Sequence, residues 1–279
     1  NRLLSYLEQM FGLQDRRILV TGAGGLLGTV FSQALGRAGA ELVLIDRDKR
    51  SLELCGAKLK AIGVSPELIV CDLTNYESVH TIINEIGQRG LIDGLVNSAA
   101  IDPKAESTAL DSGNSGWFTD YPLKSWCSSL DANLTGVFII SQAVCGVMER
   151  QESGKGVIVN LCSTYGLVGP DQSIYKDEED VQLFYKPVDY SVTKAGLLGF
   201  TRALAAMYKG TEIRVNALTP GGAFNDHTPA FVEKYADRTI LGRMADPAEY
   251  GGAIVFLCSS ASSYMTGSNL IIDGGWTAI

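Results

Sequence analysis

Runs of apolar, strand-forming residues alternate with helical patterns along almost the whole chain, and this alternation constrains the fold more than any other feature. The runs are apolar throughout, which is typical of parallel strands covered on both faces. Their alternation with helices indicates a doubly wound α/β fold with a parallel sheet of about seven strands. We predict strands at residues 17–22, 41–46, 67–73, 92–100, 156–163, 213–221 and 269–275, and helices near 26–39, 48–62, 76–89, 123–150, 188–208 and 246–259.

The pattern continues without a linker, so the sequence predicts one domain. A chain of 279 residues that is 46% hydrophobic and 19% charged can bury a sizeable core. We expect the domain to span residues 15–279 and the amphipathic residues 1–14 to form an N-terminal helical extension. The first residue is Asn1 rather than Met, as expected where the native start is absent or processed.

Composition argues against several classes of function. The net charge of −8 is opposite to that of a nucleic-acid-binding surface, and no apolar run approaches the ~20 residues that span a bilayer. The opening residues lack the basic start and cleavage site of a signal peptide. The six cysteines are scattered, and only His80 and His227 could join them as metal ligands. We therefore expect a cytoplasmic protein with buried thiols, no disulfide framework, no metal site, and neither nucleic-acid nor membrane partners.

A glycine-rich turn, TGAGGLLG at residues 21–28, joins the first predicted strand to the first helix. Glycines here permit a tight turn and the close approach of a dinucleotide's pyrophosphate to the helix start. Asp46, at the end of the second strand, stands where the adenosine ribose should lie. A carboxylate there accepts hydrogen bonds from both ribose hydroxyls and repels a 2′-phosphate, which favours NAD(H) over NADP(H). Arg47 is either a solvated loop charge or a group that holds a 2′-phosphate.

Tyr190 and Lys194, in YSVTK, stand four residues apart and so share one face of a predicted helix. A tyrosine hydroxyl normally loses its proton near pH 10, and a nearby ammonium favours the phenolate. The pair could therefore move a proton on and off an alcohol or carbonyl oxygen. Such pairs also occur by chance on exposed helices, so the interpretation depends on the rest of the chain.

With these motifs the chain resembles the short-chain dehydrogenase/reductase family along nearly all of its length after residue 12. TGAGGLLG is similar to the family's TGxxxGxG turn, with Leu26 where its middle glycine stands. NSAA, at residues 97–100, is similar to the NNAG segment, with Ala100 in place of glycine. DGG, at residues 273–275, resembles the C-terminal signature. The resemblance implies a Rossmann fold and hydride transfer between a nicotinamide and a carbon that bears oxygen.

The family's four catalytic residues transfer onto matching positions of this sequence. The resemblance implies that Asn133 supports a water-linked proton relay and that Ser163 holds the substrate oxygen. It also implies that Tyr190 exchanges a proton with that oxygen, while Lys194 favours the phenolate and binds the nicotinamide ribose. The expected cofactor-binding residues are Gly22, Gly24, Gly25, Leu27, Gly28, Asp46, Arg47, Asp72, Leu73, Asn97, Ala99, Tyr190, Lys194, Pro220 and Gly221.

Two long irregular segments, residues 102–122 and 165–187, follow strand ends at the edge where α/β sheets bind ligands. We expect both to be substrate-loop insertions. In the second, the gap between Ser163 and Tyr190 (190 − 163 = 27) is about twice the family's usual gap. Their rings and hydroxyls make three tyrosines candidates for polyol binding, and two polar residues after PGG belong to the expected substrate loop or are ordinary loop residues. The acidic run at residues 177–180 is interpreted as a solvated loop tip. The candidate substrate residues are Tyr165, Tyr175, Tyr185, Asn225 and His227.

The motifs STYGLVGPDQSIY and PGGAFN are similar to those of a subgroup found with bacterial surface-glycan pathways, including those for flagellin sugars and nonulosonic acids. That resemblance implies a sugar, phosphosugar or nucleotide sugar as the substrate. Two alternatives stay open. One is a 3-oxoacyl reductase acting on a carrier-bound chain, which would need a basic docking patch. The other is a non-catalytic NAD-binding sensor or scaffold, which the presence of all four catalytic residues disfavours.

Assembly is inferred from the resemblance alone. Relatives commonly form tetramers through the long helix before the fifth strand and the YxxxK helix, so we expect a homo-oligomer (dimer or tetramer). The apolar residues on those helices could form such a surface or could equally face the sheet; they are Val137, Phe138, Leu197, Leu198 and Phe200.

Overall fold

The computed structural model describes residues 5–102, 116–177, 179–182 and 184–279. Its strands form one parallel sheet in the order β3-β2-β1-β4-β5-β6-β7, which confirms the predicted α/β fold. The strands are β1 (Arg17–Thr21), β2 (Glu41–Asp46), β3 (Glu67–Val70), β4 (Gly94–Asn97), β5 (Lys155–Leu161), β6 (Glu212–Pro220) and β7 (Asn269–Ile272). Several strands end earlier than predicted, β3 at Val70 and β4 at Asn97, because the chain leaves the sheet there to form loops.

Helices connect the strands and cover both faces of the sheet. They are α1 (Tyr6–Phe11), α2 (Leu26–Arg37), α3 (Lys49–Lys60), α4 (Tyr76–Gln88), α5 (Leu123–Leu130), α6 (Gly136–Arg150), α7 (Val188–Met207), α8 (Pro229–Asp237) and α9 (Gly251–Cys258). One apolar core packs α2, α3 and α9 against the sheet, and a second packs α4 and α6 against the other face. Helix α8 was not predicted, although Thr228 caps it and Pro229 opens it, which are both helix-start signals.

The predicted helix over residues 123–150 contains a π-helical turn, Asp131–Thr135, between α5 and α6. By length and composition alone, Leu123–Arg150 could cross a bilayer. However, 56% of its most apolar window is buried inside the protein, as is typical of a core helix. Val137, Leu197 and Leu198 are buried within the chain, and Phe138 is half-exposed.

The order of the strands creates the crevice in which ligands of such folds bind. From β1 the chain builds the sheet towards β2 and β3, and it then crosses to β4 on the other side of β1. The loops after β1 and β4 therefore diverge at their carboxyl ends. There, Thr21 Oγ1 accepts hydrogen bonds from the N–H groups of Ser98 (3.2 Å) and Ala99 (3.3 Å), which joins the two loops.

Some sequence predictions fall outside the described residues: residues 1–4 of the extension, most of the 102–122 segment, and Glu178 of the acidic run. Ser5 and Glu8 form a capping box at the start of α1. The domain boundary at residue 14 stays a prediction.

Two leucines of α3 test the importance of the first core. Leu59 is fully buried, whereas Leu54 is 57% exposed. Leu59→Ala should lower the free energy of unfolding by about 3 kcal/mol, because it leaves a cavity in a closely packed core. Leu54→Ala should change it by less than about 0.5 kcal/mol. Urea unfolding followed by circular dichroism measures both values, and equal losses would contradict the packing.

Candidate active site

The glycine turn after β1 has space for backbone only. Gly22 has a φ of 61°, and a Cβ there would lie 2.6 Å from the Ala99 Cα. A Cβ on Gly28 would lie 2.1 Å from the Gly22 carbonyl oxygen. Helix α2 begins at this turn with no side-chain cap, whereas Asp48 caps α3 and Asn75 caps α4. The first N–H groups of α2 therefore suit phosphate oxygens, so these residues fit the pyrophosphate of a dinucleotide.

Asp46 lies directly beside this turn. Its carboxylate accepts one hydrogen bond from the Gly24 N–H (2.9 Å) and one from the Asp48 N–H (2.9 Å). Hydrogen bonds from Thr74 chiefly lower the pKa of Asp72, and the charge of Arg47 lowers it further. The Asp46 carboxylate is thus fixed at the position expected for ribose binding.

The other predicted cofactor residues divide between the crevice and the interior. Pro220 ends β6, and a Cβ on Gly221 would lie 2.8 Å from the Asp273 Cα, so the chain passes close to the C-terminal DGG signature. Asn97 is buried and donates to Ser141 and Asn160, so its side chain serves the core. The same holds for the buried Leu73 side chain and for Leu27, which packs against the first core.

Three of the four predicted catalytic residues meet beyond β5. Ser163 follows that strand, and its hydroxyl lies near enough to Tyr190 to lower the pKa of the phenol. Lys194, one turn along α7, lies with its Nζ 5.7 Å from the centroid of the Tyr190 ring. This ammonium donates a hydrogen bond to the Leu161 carbonyl (2.8 Å). Ser163, Tyr190 and Lys194 thus form one cluster at the carboxyl edge.

Asn133, the fourth, is fully buried in the π-helical turn. Its Oδ1 accepts a hydrogen bond from the Ile101 N–H (2.7 Å), and its Nδ2 donates to the Ile101 carbonyl (3.0 Å) and to Thr193 Oγ1 (3.2 Å). The amide therefore joins the loop after β4 to α7 next to Lys194. Its role in a water relay stays a prediction.

The pKa of Tyr190 lies well above its ordinary value, contrary to the expectation that the lysine alone would lower it. Burial is the main cause, and the negative charge of Asp102 is the next. Burial also lowers the pKa of Lys194, since a charged ammonium loses its hydration there. The pocket thus favours the neutral phenol, and its protons move only where opposing charges compensate for lost water.

The insertion at residues 165–187 brings two of its three candidate tyrosines into the pocket around Tyr190. Tyr175 donates a hydrogen bond to the Tyr165 hydroxyl (3.0 Å), and burial raises the pKa of both. Tyr185 instead packs against Trp117, with ring centroids 4.9 Å apart. In the loop after β6, the predicted His227 accepts a hydrogen bond from the Asn225 N–H (3.2 Å).

Further aromatic and charged residues, which the sequence did not predict, lie around the same pocket. His227 stacks on Phe231, and Tyr235 stacks on Trp276 with centroids 4.5 Å apart. Trp276 meets Tyr165 edge-on. The position of Trp276 after the DGG signature was the one local signal. Lys186 lies over the Tyr190 ring and forms an ion pair with Asp102. Its distance from Tyr190 along the chain gave no helical signal, because Lys186 precedes Pro187, which caps the start of α7.

Known proteins are similar to this chain along most of its length. A family model described as enoyl-(acyl carrier protein) reductase matches residues 23–277. A probable galactose dehydrogenase of Rhizobium meliloti (strain 1021) is 33% identical over 276 residues, covering 96% of this chain and 97% of that protein. A galactitol 2-dehydrogenase (L-tagatose-forming) of Cereibacter sphaeroides is 32% identical, covering 96% and 97%. A 3-oxoacyl-[acyl-carrier-protein] reductase of Aquifex aeolicus (strain VF5) is 31% identical, covering 94% and 98%.

Solved structures agree with these relatives. A short-chain dehydrogenase from Leptospira borgpetersenii with bound NAD+ superposes with a TM-score of 0.82 at 30% identity, covering 99% of this chain and 98% of that one. A gluconate 5-dehydrogenase from Burkholderia cenocepacia J2315 in complex with NADP and tartrate superposes with a TM-score of 0.82 at 28% identity, covering 98% and 100%. The chain belongs to the short-chain dehydrogenase/reductase family.

Proposed function

We propose that this protein is an oxidoreductase that interconverts a secondary alcohol and a ketone with a nicotinamide dinucleotide. The convergence of Ser163, Tyr190 and Lys194 at the carboxyl edge, beside a turn suited to pyrophosphate, carries the proposal. The relatives named for galactose and galactitol oxidation support this chemistry. The bound nicotinamide would supply or accept the hydride.

The chain's own residues would hold the substrate oxygen and move its proton. In reduction, the Tyr190 hydroxyl gives its proton to the carbonyl oxygen; in oxidation, the phenolate oxygen removes the proton from the alcohol. Ser163 holds that oxygen beside Tyr190. Lys194, with its Nζ 5.7 Å from the centroid of the Tyr190 ring, would offset part of the penalty that burial imposes on the phenolate. We assign Asn133 the role of fixing the loop after β4 against α7 and of supporting a water relay.

We propose NAD(H) as the preferred cofactor, with the other assigned cofactor residues as predicted from the sequence. Asp46, fixed beside the turn, would accept hydrogen bonds from the ribose hydroxyls and repel a 2′-phosphate. The charge of Arg47 already acts on Asp72, whose carboxylate would compete with a 2′-phosphate for the guanidinium. Family structures with NAD+ and with NADP show that the fold accommodates both.

A sugar, phosphosugar or nucleotide sugar is the proposed substrate, as in surface-glycan pathways. The hydroxyls of Tyr165 and Tyr175, together with the Trp276 ring, support a polyol, since they combine stacking surfaces with hydrogen-bonding groups. We keep Tyr185, Asn225 and His227 as proposed outer contacts. The free thiols of the cysteines support a reducing cytoplasm.

The exposed Phe138 on α6 supports assembly into a homo-oligomer, for which we propose a dimer or tetramer.

A 3-oxoacyl-carrier reductase is the second candidate, because a relative with that activity is 31% identical. The net charge of −8 disfavours it, since an acidic carrier would approach a surface of like sign.

A coupled screen of sugars, sugar phosphates, nucleotide sugars and acyl thioesters with NAD(H) and NADP(H) tests the proposal. We expect turnover of polyhydroxylated alcohols or ketones and the larger kcat/KM with NAD(H). Activity confined to acyl thioesters would favour the carrier reductase. Cofactor binding without any turnover would support a sensor or scaffold instead.

Asp46→Asn should weaken NADH binding by about tenfold and strengthen NADPH binding, because it removes the charge and keeps the shape. Fluorescence titration measures both dissociation constants without substrate. Lys49→Ala, an exposed control three residues further along, should leave NADH affinity within about twofold. Unchanged cofactor preference in Asp46→Asn would remove the basis for proposing NAD(H).

Tyr190→Phe should lower kcat at least ~10³-fold, because the ring remains but the proton donor is lost. NADH affinity should remain within about twofold by fluorescence titration. Tyr208→Phe is the matched control, since it removes a surface hydroxyl bonded to Glu149 and should retain turnover. Substantial residual activity in Tyr190→Phe would overturn the assignment.

A further inference from the structure

An ion pair outside the four catalytic positions, Lys186 with Asp102, lies over the face of Tyr190. Lys186 Nζ stands 4.3 Å from the centroid of the ring. The Lys186 side chain is 8% exposed, whereas that of Asp102 is 47% exposed. The cation is therefore enclosed, whereas the carboxylate reaches solvent, and its charge acts on Tyr190.

Side-chain amides fix the backbone at both members of the pair. Gln172 Oε1 accepts a hydrogen bond from the Lys186 N–H (2.9 Å), and Gln172 Nε2 donates to the Lys186 carbonyl (3.1 Å). Asn133 makes the same two bonds to Ile101, the residue before Asp102. The backbone at Lys186 and at the residue before Asp102 is thus fixed by the protein's own amides, as a specific polar contact requires.

We propose that Asp102 and Lys186 form a recognition pair for a hydroxyl group on the carbon next to the reacting one. The Asp102 carboxylate accepts a hydrogen bond from this hydroxyl, and Lys186 is a positioning residue that directs the carboxylate. The inference rests on the proposed oxidoreductase function and narrows its substrates to vicinal diols and α-hydroxy ketones. A substrate carboxylate or phosphate at that position would meet Asp102 as a like charge.

The pair also acts on Tyr190 from opposite directions. The Asp102 carboxylate opposes formation of the phenolate, and an ammonium over the ring favours it. Asp189, the neighbour of Tyr190 in α7, is satisfied by the Tyr121 hydroxyl and the Tyr190 N–H. Among the described residues, the other titratable groups near Tyr190 are Cys162, Tyr165, Tyr175 and Lys194.

Two substitutions should move the pH profile of kcat/KM for alcohol oxidation in opposite directions. Asp102→Asn removes the negative charge, so the rise that reports Tyr190 ionisation should move to lower pH. Lys186→Met removes the positive charge and leaves Asp102 uncompensated, so the rise should move to higher pH. Lys186→Arg, which keeps the charge, should restore the native position.

The exposed ion pair Lys176–Asp180 (3.0 Å), in the same insertion, supplies matched controls. Lys176→Met and Asp180→Asn should leave the profile unchanged. Shifts of the same sign in Asp102→Asn and Lys186→Met, or shifts as large in the controls, would overturn the pair. Asp102 is half-exposed, so Asp102→Asn should fold even where Lys186→Met does not, and circular dichroism verifies both.

Recognition of a neighbouring hydroxyl is tested with cis-1,2-cyclohexanediol and cyclohexanol, which differ by that hydroxyl alone. Each is measured as a substrate, or as a competitive inhibitor where turnover is too slow. The native enzyme should prefer the diol, and Asp102→Asn should lower the diol-to-monol ratio by about tenfold. Equal losses on the two alcohols would contradict the proposed recognition.

Failure of the proposed oxidoreductase function gives a result that differs from failure of the Asp102–Lys186 pair. An enzyme inactive on every alcohol and ketone with both cofactors would overturn that function. The electrostatic effect of the pair is then measured by ultraviolet titration of phenolate absorbance, with the Tyr190→Phe signal subtracted. Opposite shifts there would support the pair, and identical titrations in the native protein, Asp102→Asn and Lys186→Met would overturn it.

Discussion

A parallel sheet covered on both faces can present polar groups only where its strands end, and this constraint determines where the chemistry of this protein lies. The central strands bury mainly apolar residues, whereas the edge strands β3 and β7 are only partly buried. Polar groups gather at the carboxyl edge, with Thr21 ending β1, Asp46 ending β2 and Ser163 following β5. Because all strands run in one direction, these residues reach the same crevice. Helix α7 then has only to place Tyr190 and Lys194 against it.

Loss of water, rather than attraction between charges, dominates the energetics of that crevice. Burial disfavours the phenolate of Tyr190 and the ammonium of Lys194 alike. Two opposite charges placed in such a site compensate for lost hydration only if their geometry is fixed. The buried amide of Asn133 and the partly buried amide of Gln172, which hold backbone rather than substrate, supply that rigidity.

The sequence predicted those parts of the fold that depend on local pattern. The apolar runs located all seven strands, and the spacing of glycines located the turn that only backbone fits. The π-helical turn at Asn133 was not predicted, because the apolar pattern of residues 123–150 indicates one continuous helix. Lys186 and Trp276 were missed because their positions depend on how distant segments pack. The lowered pKa expected for Tyr190 was wrong for a related reason, since burial is a tertiary property.

Overall similarity does not separate the substrates of this family. Relatives named for galactose, for galactitol and for a carrier-bound 3-oxoacyl group are 33%, 32% and 31% identical to this chain. In this chain the sheet and the glycine turn supply the residues proposed for the cofactor, whereas the proposed substrate contacts come from other segments. Selectivity must therefore arise from segments that extend beyond the sheet. Here the insertion supplies Tyr175 and Lys186 to the face of Tyr190, where Lys186 meets the loop after β4. Because the Asp102–Lys186 pair is assembled from two loops, substitutions in those loops can change which substrate binds while the residues that carry the proton stay the same.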